Sequence, residues 1–170
     1  RIHHKIGPRR DITIIGVGGW DDYKLYTDGR GSDALLYNVG YIPEGTQQTE
    51  VLGARYRSFT NNGRWEYVLS RDHVGNQAEK FIGNTGLDRN RQLDYSSTET
   101  NTRFNISHHV VSNNWQWKYG LNLVFRDYGL DMWNVRYNND TAVQRVDTVD
   151  YLAQQNFFSA GVFTHLTRHY

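Results

Sequence analysis

The sequence predicts an all-β chain, an antiparallel up-and-down transmembrane β-barrel with about seven strands in 170 residues. Three observations predict it. Apolar residues recur with period two, the connections alternate between short and long, and aromatic residues gather at strand ends. Composition agrees. No apolar run approaches the ~20 residues of a spanning helix. The 12 Tyr, 7 Phe and 5 Trp argue against disorder, because disordered chains are poor in aromatics.

The first strand covers about residues 1–6 and turns at Gly7-Pro8-Arg9-Arg10 into a second over about 11–25. Alternation is weak there, since Ile12 to Val17 is apolar on both parities and Gly16, Gly18 and Gly19 have no side chain. Strands over about 50–60 and 64–77 form a hairpin around Asn61-Asn62-Gly63-Arg64, where Asn-Gly is a strong tight-turn signal. Leu52, Ala54 and Tyr56 oppose Arg55 and Arg57; Trp65, Tyr67 and Leu69 oppose Glu66 and Ser70.

The next pair covers about 93–109 and 114–131. In the first, Thr98, Thr100, Thr102, Phe104 and Ile106 share a parity against Glu99, Asn101, Arg103 and Asn105. A turn over Val110 to Asn114 follows, rich in Ser and Asn. The second is the clearest segment of the chain. Trp115, Trp117, Tyr119, Leu121, Leu123 and Phe125 hold one parity; Gln116, Lys118, Gly120, Asn122 and Arg126 hold the other with Val124. Six apolar residues in a row on one parity would arise by chance with probability of roughly 0.003. A last strand covers about 156–170.

Long polar connections then fall at 26–50, 76–92 and 132–156, all on the side opposite the short turns. Three such loops are unusual in a small soluble domain, but they are the layout of an outer-membrane barrel. Trp65, Tyr67, Trp115, Trp117 and Tyr119 open their strands just after short turns. Trp20, Tyr23, Tyr128 and Trp133 lie near the opposite ends, so we expect an aromatic girdle at each interface.

The strand parities assign faces. Leu52, Tyr56, Trp65, Tyr67, Leu69, Phe104, Ile106, Trp115, Trp117, Tyr119, Leu121, Leu123 and Phe125 are expected to face lipid. Arg55, Arg57, Glu66, Glu99, Arg103, Lys118 and Arg126 are expected to line the lumen, pairing with one another or with a plug. Tyr37, Tyr41, Trp133, Tyr137, Asn138 and Asn139, placed in long loops, are the candidates for capturing ligand.

Other chemistry finds little support. Lys plus Arg number 19 against 18 Asp plus Glu, a balance that argues against a nucleic-acid partner. There is no cysteine, so thiol catalysis and Cys-ligated zinc are excluded. His3, His4, His73, His108, His109, His165 and His169 show no ligand spacing, and His108 and His109 point to opposite faces. Asp21, Asp22, Asp140, Asp147 and Asp150 read as solvated loop charge. Gly16-Val17-Gly18-Gly19 lacks the spacing of a dinucleotide fingerprint, and no G-x-S-x-G elbow is present. We expect no enzyme, no cofactor and no bound metal. Arg1 to Arg10 has no apolar core, so no signal peptide is expected in it.

Particular runs resemble a known family. Asp11 to Lys24 is a glycine-rich strand ending in the Trp20-Asp21-Asp22-Tyr23 cluster. Gly53 to Arg57, a short turn and Trp65 to Arg71 form a similar hairpin. Trp117 to Tyr128 runs from an apolar face to a charged rim, and Phe158 to Phe163, followed by Thr164 to Tyr170, looks like the strand entering a later hairpin. These resemble barrel strands of TonB-dependent outer-membrane receptors of Bacteroidota. The resemblance implies a barrel of about 22 strands with an N-terminal plug. It implies import of a scarce nutrient (a metal chelate, vitamin, glycan or peptide) with energy passed through TonB. The implied partners are the lipid bilayer, the rest of the barrel, the plug, TonB and a possible surface lipoprotein. On this basis residues 1–170 are a partial barrel domain without its plug. Seven strands leave two edges that lipid cannot satisfy, which favours a fragment of a larger barrel. Two alternatives stand beside it: a complete eight-stranded barrel with a strand hidden in a long loop, and a soluble glycan-binding β-sandwich or barrel.

Overall fold

The computed structural model describes the chain except residues 26–31, 34–38, 41, 83–84, 139–144 and 169–170; of 136–138 and 145–146 it describes the backbone only. Seven strands follow one another: β1 (Ile2–Gly7), β2 (Arg10–Tyr23), β3 (Glu44–Thr60), β4 (Gly63–Phe81), β5 (Arg91–Ser112), β6 (Trp115–Asn138) and β7 (Arg145–Arg168). A single 3-10 turn at Asp88–Asn90 precedes β5. Every strand pairs antiparallel with its sequence neighbour, giving one sheet in the order β1 to β7. Among the described residues β1 and β7 do not pair, so the sheet is open and no barrel is closed. The helical element present is not long or apolar enough to cross a membrane.

The ladders are long and regular. β5 pairs with β6 from Leu93↔Asn134 to Ser112↔Trp115 without a shift. β6 pairs with β7 from Trp115↔Arg168 to Asn138↔Arg145, also without a shift. Irregularities occur only at the ends of the β1–β2 and β4–β5 ladders. Because side chains alternate across a strand, these registers place each residue on one of two faces.

The strands outrun their predicted lengths at the long-loop side. β3 begins at Glu44, β4 runs to Phe81, and β6 and β7 each reach 24 residues. Much of the segment 132–156, expected to be loop, is therefore ladder, and Trp133, Tyr137 and Asn138 lie in β6. The reason is physical. Beyond Phe125 polar and apolar side chains mix on both faces, Leu130 and Met132 on one and Asp127, Asp131 and Trp133 on the other, so the period-two signal vanishes while backbone pairing continues. Tyr37, Tyr41 and Asn139 lie outside the described residues.

The short turns are tighter than predicted. Thr60 pairs with Gly63 and Ser112 with Trp115, leaving two-residue loops Asn61-Asn62 and Asn113-Asn114. Asn113 takes the positive φ of 46°. Asn62 and Gly63 do not form the left-handed pair expected of Asn-Gly. Gly63 is instead a ladder residue where a Cβ would stand 2.0 Å from the His109 carbonyl oxygen. Two of the short turns are tied to the next strand: the Phe59 amide donates to the Arg9 carbonyl of the Pro8-Arg9 turn at 2.8 Å, and the Val111 amide to the Asn62 carbonyl at 2.7 Å.

Gly120 tests the tightness of the sheet. A Cβ there would lie 2.2 Å from the Ile106 carbonyl oxygen and 2.7 Å from the Phe163 ring. At Gly161, on the adjacent strand β7 and the same face, a Cβ meets nothing within 4 Å. Gly120→Ala is expected to destabilise the fold by about 1–3 kcal/mol, the usual cost of overpacking. Gly161→Ala should be near neutral. Urea unfolding followed by tryptophan fluorescence measures both.

Candidate functional site

The two faces of the sheet have opposite chemistry, and burial on them is inverted. Among the described residues no hydrophobic side chain is buried. The buried polar residues among them are Asp11, Thr13, Lys80, Ser97, Asn101 and Ser107, and the register puts all six on one face together with the buried Gly53. That face also holds Arg55, Arg57, Glu66, Glu99, Arg103, Lys118 and Arg126, the seven residues predicted to share it.

The thirteen predicted apolar-face residues fall together on the other side. One row reads Ser58, Trp65, His108, Tyr119, Thr164; the next, Tyr56, Tyr67, Ile106, Leu121, Val162. Then come Ala54, Leu69, Phe104, Leu123 and Ala160, and finally Leu52, Arg71, Thr102, Phe125 and Phe158. Val162 is 86% exposed and Leu52 62%, so nothing among the described residues covers this surface. A soluble sandwich would pack such a face against a second sheet; one sheet is present.

The band has a measurable height. From Trp115 to Phe125 the chain rises about 33 Å at ~3.3 Å per residue. The lower margin of the band, beside the short turns, is an aromatic cluster. The Trp65 and His108 rings stack at 4.1 Å, and Tyr119 stands edge-on to His108 with its hydroxyl 2.8 Å from Nδ1. Trp117 leans on Tyr119 and its indole N–H donates to Thr164 at 2.7 Å. Arg168 lies over the Trp115 ring.

The second predicted girdle does not form. Tyr23 pairs with Gly45 and Tyr128 with Glu99, which sets both on the polar face. Trp20 and Trp133 are on the apolar parity but lie in polar rows, Trp133 between Asp94 and Asp150. The upper margin of the band is instead a row of polar side chains: Glu50, His73, Thr100, Asp127 and Asn156.

On the polar face the charges pair within the sheet. Arg57 donates from Nε and an Nη to the two carboxylate oxygens of Asp11, at 2.9 and 2.8 Å. Bidentate geometry of this kind is the strong form of an ion pair. Higher up, the Asn101 amide donates to Asp72 at 2.8 Å and to Glu99 at 2.9 Å, while its carbonyl accepts from Arg126 at 2.7 Å. Arg103 bonds Asp72, and Asn105 donates to Asn122. Asn101 is only 4% exposed and acts as the hub. Lys118 lies over the Phe163 ring at 5.9 Å. Arg55 Nε is buried without a hydrogen-bond partner. Sequence inspection identified the cations but missed Asp11, Asp72 and Asn101, whose partners are set by registers between strands.

No three His, Asp or Glu side chains among the described residues come together as a metal-ligand set. No family model, curated protein or solved structure matches the chain.

Arg57→Ala strands the 6%-exposed Asp11 carboxylate and is expected to cost about 3 kcal/mol of unfolding free energy. Replacing both partners, Asp11→Leu with Arg57→Leu, should restore most of it. A double-mutant cycle by urea titration checks the coupling.

Proposed function

We propose that this chain is a segment of the wall of a transmembrane β-barrel in a bacterial outer membrane. The observation that carries the proposal is the inverted burial: the six buried side chains described are all polar and on one face, against an exposed apolar face with none. In water such a surface would be a large exposed patch with no cover. In lipid it is the stable arrangement, with polar side chains directed to the interior. Mutual covering of side chains on the polar face supports that face as the concave wall.

At the ~40° tilt of outer-membrane strands, the ~33 Å from Trp115 to Phe125 becomes a height of about 25 Å, which fits the apolar belt of such barrels. The free edges of β1 and β7 support further strands in the same barrel, since lipid offers no partner to an edge amide or carbonyl. The strands continue well past the band, enough to carry a wall above the membrane surface.

We further propose that the whole protein is a transporter of the TonB-dependent receptor type, moving a scarce nutrient without covalent chemistry. This part rests on the resemblance of the strands Asp11 to Lys24, Trp65 to Arg71 and Trp117 to Tyr128. A face lined by paired charges suits passage of a polar solute, which exchanges water for groups whose own bonds are already satisfied.

One pair of neighbours tests the membrane assignment. Leu123 and Asn122 are adjacent in β6 and on opposite faces. The full protein refolded into phospholipid vesicles is expected to float with them on a density gradient. Leu123→Arg should cost about 2–4 kcal/mol of stability in the bilayer and Asn122→Arg under about 1 kcal/mol. A protein that stays in the aqueous fraction, folded and without detergent, overturns the proposal.

A further inference from the structure

A hollow of about 280 Å³ opens above the band, lined among others by Trp20, Gln48, His73, Gly75, Gln77 and Thr98. The row Trp20, Gln48, Gly75, Thr98 lies on the same side of the sheet as Leu52 and Phe125. It therefore belongs to the outer surface and not to the polar face that holds the ion-pair network. On β2, Trp20 is four residues past Gly16, the β2 member of the top row of the band, so about 13 Å further along the strand.

The lining is selective in its chemistry. Trp20 is 73% exposed and offers a bare indole face. Around it stand amides and hydroxyls. Gln48 donates an amide N–H to Glu50 at 2.7 Å. Gln77 accepts weakly from Thr46 at 3.4 Å. The His73 Nδ1 sits 2.8 Å from the Thr100 hydroxyl, which fixes the ring, and its Nε2 lies beside the space that a Cβ at Gly75 would fill. A flat aromatic face ringed by neutral donors and acceptors matches a pyranose, with its apolar C–H face and its rim of hydroxyls.

A second feature points to the same ligand. Arg71 sits in the top row of the band, between Leu52 and Thr102, exposed and with no ion pair among the described residues. A basic side chain at that depth meets the phosphates of a lipid headgroup. Arg71 lies four residues below Gly75 on β4. The two levels, phosphate below and sugar about 13 Å above along the strand, match an amphiphile that carries its sugars outward from a phosphorylated base.

We propose that Trp20, Gln48, His73 and the Gly75 hollow form a saccharide site for the outer-leaflet glycolipid, holding its core sugars while Arg71 meets its phosphate. The inference rests on the membrane reading. It adds a fixed lipid to the outside of the barrel, separate from any solute carried within.

The test uses the full protein purified in detergent, titrated with rough-type lipopolysaccharide (phosphorylated lipid base plus core sugars). The comparison probe is the core oligosaccharide released from the same material. Trp20→Ala is expected to weaken lipopolysaccharide binding about tenfold, and Gly75→Leu, which fills the hollow, by a similar factor. Both variants should still float with phosphatidylethanolamine vesicles. Released oligosaccharide should bind at least about a hundredfold more weakly than the intact glycolipid, having lost its acyl and phosphate contacts. Unchanged lipopolysaccharide affinity in both variants overturns the site. Equal affinity for the free oligosaccharide overturns the glycolipid as its source. Wild-type protein that fails to float would instead defeat the membrane reading itself, an outcome read before any titration.

Discussion

The backbone hydrogen-bond ladder is the constraint on which everything else depends. Strands of 17 to 24 residues, far beyond the usual ~5–6, satisfy their amides and carbonyls only sideways, through their neighbours. Once the register is set, period two allots every side chain to a face. A slip of one residue between β5 and β6 would set Leu123 opposite Arg103 or Asn105 instead of Phe104 and would mix the two chemistries. The long unshifted ladders are therefore what keeps the apolar band apolar. They also create the two open edges, which need either water or further strands.

The two faces solve different problems with the same backbone. On the apolar face no specific contact is needed through the middle of the band, and the side chains there are simple: Ala54, Leu69, Leu123 and Ala160. Specific geometry collects at its lower margin, where Trp65, His108, Tyr119 and Trp117 combine a ring body with a polar tip. Such side chains suit a boundary between hydrocarbon and water. On the polar face, packing must satisfy charges in a confined space. Asn101 can serve as hub because one amide carries two donors and an acceptor, enough for Asp72, Glu99 and Arg126 together. Truncating such a hub would leave several partners short of a bond.

Much of this was legible in the sequence, for a reason visible in β6. Between Trp115 and Phe125 the environment changes with each residue, so composition records the face directly. The same logic located β3 to β5 within the band and put Arg55, Arg57, Arg103, Lys118 and Arg126 on one face, where the register also has them. It failed above the band, where polar and apolar side chains mix on both faces and Trp133 and Tyr137 looked like loop. It failed again for the upper girdle, because Tyr23 and Tyr128 are close to the rim in sequence but sit on the other parity. Asn62-Gly63 misled in a third way: the glycine answers to the His109 carbonyl of the neighbouring hairpin, a contact no local pattern encodes. Ion-pair partners such as Asp11 for Arg57 lie 46 residues away and become neighbours only through strand order.

The central claim, that one face of this sheet meets lipid over a band of fixed height, can be read residue by residue. The chain has no cysteine, so single cysteines can be placed along β6 from Trp115 to Trp133 and labelled with a nitroxide. In vesicles, collision with oxygen reports lipid exposure and collision with a soluble nickel chelate reports water exposure. The account predicts that oxygen accessibility alternates with period two, with maxima at residues 117, 119, 121, 123 and 125. Beyond Phe125 the alternation should stop and the nickel chelate should reach the outer face. A profile with no alternation, or one in which residues 116, 118, 122 and 124 are the lipid-exposed set, would contradict it.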